Sequence, residues 1–492
     1  MAHLCRTLFF CWSILLVSPC FGQSLQEVTG FGSNPGNLRM YEYVPTPQPS
    51  NDAPLLVAMH GCTQDASAYF NDTEWYRLAD RYGFYLVFPQ QKSSNNSNDC
   101  FNWFLSSDQE RGSGEPLSIR QMVGEMETNY SIDTDRTFLT GLSAGGAMSA
   151  VLMASYPDVF EGGAIMAGLP YKAATNSSQA FNAMQGNVDK SPSSWATLVN
   201  DAYPSFGAGY PRVAIFHGSS DGTVDPVNAR ELMEQWTEVK GVDRTIDRTD
   251  QELGGAAVVT REQYLDGSDS SVAVSRYSFQ GMGHGIAVDP GSPLCQGKGG
   301  SSGSYAFDVN LFSSYWAARF FGILPYTAIR GPKIVDPNQQ GLVFYTPSFQ
   351  GSSWSWEVPA GASIVSGQGS DSIQVDWGGQ AGYVKATRTD STGCVGLPDS
   401  MAVGITSLEG KEGASGHVQL LGPNPSSRGF ILKLGSGASR TVPLRLYDER
   451  GQRLSLPRAK LSPGEEFHFG GGLGSGIYHL KAGERTIRLI VP

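Results

Sequence analysis

The chemistry this chain could perform starts at Gly141-Leu142-Ser143-Ala144-Gly145. A serine between small residues suits a sharp strand-to-helix turn, where bulkier neighbours would not fit around the hydroxyl. The flanking sequence offers both elements. RTFLT before it reads as a strand, and Ala144–Tyr156 as a helix of small residues. Without chemistry the same pentapeptide would be a glycine-rich turn.

A serine at its ordinary pKa is a poor nucleophile and needs a base. Three histidines lie in the surrounding region: His60, His217 and His284. His284, in Gly281-Met282-Gly283-His284-Gly285, is the expected base. It follows a strand, comes late in the region, and its glycine-flanked loop lets an imidazole reach across a sheet end. Asp221, in His217-Gly218-Ser219-Ser220-Asp221, falls between serine and histidine in chain order. Its carboxylate could orient the imidazole and stabilise the imidazolium. Asp225 is also within reach, but Asp221 is preferred because it sits in the first turn after the strand. His217 then reads as a structural histidine at a strand end. His60-Gly61-Cys62 closes the first apolar strand of the set. The amides of Cys62 and Ala144 are the expected oxyanion donors, and His60 is expected to shape their loop. Phe101-Asn102-Trp103-Phe104 is either an apolar wall of the site or core packing. No HExxH, paired CxxC, EF-hand or P-loop pattern occurs, so no metal or cofactor is expected.

Positioning such groups requires alternating strands and helices. Strands are expected at Leu38–Val44, Leu55–His60, Phe84–Pro89, Thr137–Thr140, Gly163–Ala167, Arg212–His217 and Val272–Phe279. Helices are expected at Asp72–Tyr82, Pro116–Tyr130, Ala144–Tyr156, Val227–Lys240 and Asn310–Phe321. That alternation predicts a mostly parallel sheet covered on both faces, an α/β fold of the α/β-hydrolase type. Tyr171–Gly209 breaks the rhythm and could be a cap over the site. Past Gly331 the chain turns strand-like. LVFYTP, SWSWEVP, SIQVDW and YVKATRT alternate as in one small β-sandwich, residues 331–404. Residues 405–416 read as a polar linker and 417–492 as a second β-sandwich.

The chain has 492 residues, of which only 16% are charged, and a formal net charge of −11. That balance argues against nucleic acid as a partner, because phosphate binding needs clustered cations. Arg6, then the apolar Thr7–Val17, then Ser18–Gly22 have the layout of a signal peptide over residues 1–22. A lipid anchor on Cys20 is the alternative, and Pro19 before it fits that poorly. Cys62, Cys100, Cys295 and Cys394 would remain in the exported chain. Cys62 and Cys100 both follow strands and are the expected disulfide. Cys295 is the alternative partner, and Cys394 looks alone in its domain; the bland alternative is four buried thiols.

The catalytic region resembles the extracellular poly(3-hydroxybutyrate) depolymerase esterases, a family that includes feruloyl and acetylxylan esterases. The resemblance is carried by LLVAMHGCTQDASAYF, CFNWF, RTFLTGLSAGGAMSAVLMASYPDVFEGGAIMAGLPY, HGSSDGTV and GMGHG, and spans most of residues 30–325. It implies Ser143, Asp221 and His284 as a triad, the Cys62 amide in the oxyanion hole, and Trp103 beside the substrate. His60 is expected to bind substrate as well. Residues 332–402 are similar to PKD-like, Ig-type modules. In the tail, LGPNP, LRLYDERGQRL and GLGSGIYHLKAG resemble the C-terminal sorting domain of type IX secretion. The expectation is therefore a secreted or cell-surface monomer that hydrolyses esters of a polymer, with the type IX machinery as partner. Poly(3-hydroxybutyrate) or its oligomers is the preferred substrate, and feruloyl or acetyl esters of plant xylan the alternative. A non-catalytic polymer-binding protein is the reading of another class, opposed by the triad in fold order.

Overall fold

The computed structural model describes residues 24–207, 209–256, 258–266, 271–324 and 329–405. Beyond these it describes strand segments between 418 and 491 and residues 456 and 462. The signal segment 1–22, residues 406–416 and the LGPNP motif lie outside the described residues. The chain forms two compact units. The first takes in the chain up to Tyr264, Ala273–Tyr326 and Cys394–Leu397; the second takes in the rest.

The first unit is built in the order β1 (Gln26–Val28), β2 (Arg39–Tyr43), β3 (Ala53–Met59), α1 (Ala66–Thr73), α2 (Trp75–Tyr82), β4 (Tyr85–Gln90), α3 (Gly114–Asn129), β5 (Ile132–Leu142), α4 (Ala144–Ser155) and β6 (Gly162–Met166). It continues with α5 (Ser177–Met184), α6 (Pro192–Asn200), β7 (Arg212–Gly218), α7 (Val227–Lys240), β8 (Arg248–Gln251), β9 (Val259–Leu265), β10 (Val272–Phe279), β11 (Ile286–Val288), β12 (Ala306–Asp308) and α8 (Ser313–Phe320). Ten strands form one sheet in the order β1-β2-β4-β3-β5-β6-β7-β10-β9-β8. From β4 through β3, β5, β6 and β7 to β10 the pairing is parallel. Antiparallel β1 and β2 extend one edge.

The period of two along each strand divides the core between the two faces. Leu55, Val57 and Met59 of β3 pack with Met122 of α3, Met148 of α4 and Trp236 of α7. Leu56 and Ala58 point the other way, with Tyr69 of α1, Leu78 of α2 and Trp316 of α8. A parallel sheet buried on both faces is the α/β architecture read from the sequence. Helix α4 is buried along its whole length, which explains its run of alanine, glycine and serine: larger residues would not let it approach the sheet.

Three local expectations change. The helix expected over Asp72–Tyr82 is two helices, joined at Glu74 with φ of 44°. Asp65 caps the first of them, its Oδ1 accepting the Ala68 N–H at 2.7 Å. Tyr171–Gly209 contains α5 and α6, and Glu231 accepts the Trp195 indole N–H at 2.6 Å, tying that segment to α7. The antiparallel hairpin β8–β9 beyond β10 is an addition that its polar sequence did not signal.

The disulfides also need a correction. Cys62 bonds to Cys100, as expected. Cys394 is not alone but bonds to Cys295, 99 residues away. Its segment, Cys394–Leu397, belongs to the first unit although the chain on either side belongs to the second. Leu397 packs against the core of the first unit there.

In the second unit, the strands of 329–405 make two sheets. One pairs Ile334–Val335, Asp399–Ile405, Gly382–Thr389 and Ser353–Glu357, and the other pairs Leu342–Tyr345, Ser372–Asp376 and Ser363–Ser366. Alternate residues Phe344, Trp354, Trp356, Val375 and Val384 meet in one core, the β-sandwich pattern read from the sequence. The last segments are strands as well, including Val442–Asp448 paired antiparallel with Gly476–Ala482.

Candidate active site

Four loops at the carboxyl ends of parallel strands carry the expected groups, where open α/β sheets place their sites. Cys62 follows β3, Ser143 follows β5, Asp221 follows β7 and His284 follows β10.

Ser143 sits at the turn between β5 and α4 with φ of 56° and ψ of −114°. Its backbone is wedged into place. A Cβ on Gly141 would lie 2.3 Å from the Gly145 backbone, and one on Gly145 2.4 Å from Met59 O. This is why the pentapeptide requires glycine at those two positions. The Ser143 N–H is used on Met166 O at 2.9 Å. The N–H of Ala144, at the first position of α4, has no intrahelical acceptor. Among the described residues the Cys62 N–H also meets no acceptor, whereas its neighbours do: Gly61 N–H donates to Gln64 Oε1 at 2.9 Å and Thr63 N–H to Asn98 O at 2.7 Å.

Asp221 and His284 meet directly, with His284 Nδ1 2.7 Å from Asp221 Oδ2. That bond fixes the proton on Nδ1 and leaves Nε2 as the acceptor, the arrangement a general base needs. Asp221 is buried, and burial alone would raise its pKa. Hydrogen bonds from His217, His284 and the Val224 amide outweigh burial and hold the carboxyl well below the usual carboxylate range. Thr223 and Val224 N–H groups both donate to its Oδ1 at 2.9 Å. Asp225, the alternative acid, is occupied elsewhere: its Oδ1 accepts the Val227 N–H at the start of α7.

His217 does more than close its strand. Its Nε2 lies 3.3 Å from Asp221 Oδ2 and 2.9 Å from Val224 O. Asp221 is therefore held between two imidazoles. The signal was present in the sequence as the spacing His217-Gly-Ser-Ser-Asp221, but strand-end geometry alone decides whether such a pair meets. Tyr305 had no signal at all. Its ring meets the His284 imidazole edge-on at 6.4 Å, and its hydroxyl lies 3.1 Å from Thr63 Oγ1, bridging the loop of His284 to the loop of Cys62.

His60 is fully buried. Its Nδ1 bonds Gly61 O at 2.7 Å and its Nε2 accepts the Gln91 N–H at 3.1 Å, so no ring nitrogen is left for a substrate. Burial pushes its pKa below the ordinary value, consistent with a neutral ring. It supports the loop instead of contacting substrate. Trp103 is only 4% exposed and packs edge-on against the more accessible Phe104. Among the described residues no cluster of side chains could hold a metal.

This fold and this strand-end site define an α/β-hydrolase with the groups for ester cleavage. The model of the family "Esterase PHB depolymerase" matches residues 38–263, and that of the PKD-like domain residues 323–402. The chain is 47% identical over 311 residues to poly(3-hydroxyalkanoate) depolymerase C of Paucimonas lemoignei, covering 63% of this chain and 73% of that one. It is 34% identical over 281 residues to feruloyl esterase B of Talaromyces stipitatus, covering 56% and 75%. Among solved structures, acetyl xylan esterase from Aspergillus awamori aligns over 53% of this chain and 94% of that one, at 29% identity and a TM-score of 0.49. The chain belongs to the PHB depolymerase esterase family and is a carboxylic ester hydrolase.

Proposed function

We propose that this chain is a secreted serine esterase acting on poly(3-hydroxybutyrate) or its oligomers. Ser143 Oγ attacks the ester carbonyl while His284 Nε2 takes its proton. The tetrahedral oxyanion is received by the amides of Cys62 and Ala144. His284 returns the proton to the leaving alkoxide, giving a free alcohol and an acyl-Ser143. Water, deprotonated by His284, then releases the acid. Asp221 keeps the imidazole in the required tautomer and stabilises its cationic form. The observation that carries this reading is the 2.7 Å pairing of His284 Nδ1 with Asp221 at the same sheet end as the Ser143 turn. The polyester preference is supported by the 47% identity to a chain named as a depolymerase of poly(3-hydroxyalkanoate). The second reading, feruloyl or acetyl esters of plant xylan, is favoured by the relatives that carry those names.

The same proposal covers the organisation of the chain. Residues 1–22 direct export, 23–330 form the esterase domain and 331–404 a PKD-like sandwich. Residues 405–416 link it to a type IX sorting domain at 417–492, and the mature protein is a monomer.

Hydrolysis of p-nitrophenyl butyrate by the wild type and by Ser143→Ala tests the chemistry; equal rates would end the reading. Polyhydroxybutyrate granules, methyl ferulate and acetylated xylan assayed side by side test the substrate. Granule clearing is expected, and ferulate or acetate release without it would establish the second reading.

A further inference from the structure

Glu115, the second residue of α3, is a buried carboxylate that the proposed reaction does not use. Burying an isolated carboxylate is expensive unless hydrogen bonds compensate. Three donors surround this one. Asn102 gives its backbone N–H to Oε2 and its side-chain amide to Oε1, both at 2.8 Å. Gln91 gives its side-chain Nε2 to Oε1 at 2.5 Å. The orientations of both amides are fixed by their other partners. Gln91 Oε1 accepts from Lys92 N–H at 2.9 Å and Asn95 Nδ2 at 2.8 Å, and Asn102 Oδ1 accepts from Asn96 Nδ2 at 3.0 Å. Glu115 therefore faces N–H groups only, at the positive end of a helix, and its place is that of an acceptor.

What these donors hold is the oxyanion loop. Gln91 gives its backbone N–H to His60 Nε2, and His60 Nδ1 bonds Gly61 O, one residue before Cys62. Gln91 Nε2 also donates to Cys100 O at 3.1 Å, and Cys100 is bonded to Cys62. A closed circuit thus runs from Cys62 through the disulfide to Cys100, through Gln91 to His60, and back along Gly61 to Cys62. Glu115 anchors that circuit at Gln91. Through Asn102 it also anchors the residue before Trp103.

We propose that Glu115 is a positioning residue that sets the Cys62 amide at the oxyanion position through Gln91 and His60. The inference rests on the reading of Cys62 as an oxyanion donor. It requires that weakening the anchor lower transition-state stabilisation more than substrate binding.

The test uses the full mature protein with p-nitrophenyl butyrate as substrate and butylboronic acid as an inhibitor that forms a tetrahedral adduct on the serine. Glu115→Gln keeps the shape but turns one acceptor into a donor facing donors once Glu115 is ionised, so the rates are taken at pH 9. Rates are normalised to sites titrated with a fluorophosphonate. A partly displaced oxyanion donor is expected to lower kcat about tenfold, with KM held within about twofold. The boronate Ki should rise in the same proportion as kcat/KM falls. Normalised kcat and Ki matching the wild type would overturn the proposal, even with a lower melting temperature, since a purely structural role reduces folded protein without moving Ki. Should Glu115→Gln not fold, Gln91→Met breaks the same circuit and is read in the same way. Ser143→Ala separates the two readings. If it hydrolyses the ester like the wild type, the nucleophile assignment fails. If it is inactive while Glu115→Gln and Gln91→Met are normal, the Glu115 proposal fails alone.

Discussion

Asp221 and Glu115 are both buried carboxylates beside the same sheet end, and both are saturated with hydrogen-bond donors, yet they are driven in opposite directions. Asp221 lies well below the usual range because two of its donors are imidazoles, one of them His284, whose charge attracts it. Glu115 is pushed up to about 8, by burial first and then by the negative Asp108, with its amide donors opposing the rise. Counting donors does not predict protonation; the charge that the donors can carry does. The first arrangement keeps an anion available to stabilise a developing cation. The second holds backbone in place and has no cation to meet.

The largest effect that would break this contrast is Asp221→Asn. It keeps the shape but withdraws the acceptor that fixes the His284 tautomer, and kcat should fall by about 10⁴-fold. A loss below about tenfold would mean that another group orients His284. Next is His217→Phe, which removes one of the two imidazoles while preserving bulk. Loss of a hydrogen bond to a charged group is worth ~1.5–3 kcal/mol, so kcat should fall ~10–100-fold. Acid unfolding of this variant should also begin at a higher pH, because Asp221 becomes easier to protonate.

Stability against pH is the third discriminator, and the two groups have opposite signs. Glu115 has a folded pKa above its unfolded value of 4.5, so its contribution is complete below about 4.5 and is lost as pH rises through about 8. Asp221, depressed from 3.8, contributes above that value and loses its contribution in strong acid. Denaturant melts of the wild type and Glu115→Gln between pH 4.5 and 9 should show the difference in unfolding free energy falling, by a few kcal/mol in order of magnitude. A difference that is flat or rises would invert the comparison. The smallest effect is that of Asp108→Asn. It retains the oxygen that accepts the Glu115 N–H at 2.8 Å but removes its charge. The fall should move to lower pH without disappearing, because burial, the larger cause, remains.

Much of this site was legible in the sequence because its chemistry is local. The small residues around Ser143, the glycines around His284 and the turn after the β7 strand each state their role within five residues. So do the alternating strands on either side, which fix where the sheet ends are. What was hidden depends on distance in the chain. Cys295 and Cys394 are partners only because a four-residue segment rejoins the first unit. The pairing of Tyr305 with Thr63 links loops 242 residues apart. Glu115 stands just before the helix expected from Pro116, where the sequence marks no role for it. Only the fold brings Gln91 and Asn102 onto it. His217 was read as structural and is, but the structure it maintains is the acid.

Ser143 also stands where a serine is least at ease. With φ of 56° it occupies backbone space that suits glycine, in a turn packed so closely that Gly141 and Gly145 have no room for a side chain. A Ser143→Gly chain would lose the proposed nucleophile and yet be expected to melt at a higher temperature than the wild type. Under the proposed mechanism, the protein gives up some thermodynamic security at its nucleophile. Selection for stability alone would drive this position towards glycine and inactivity.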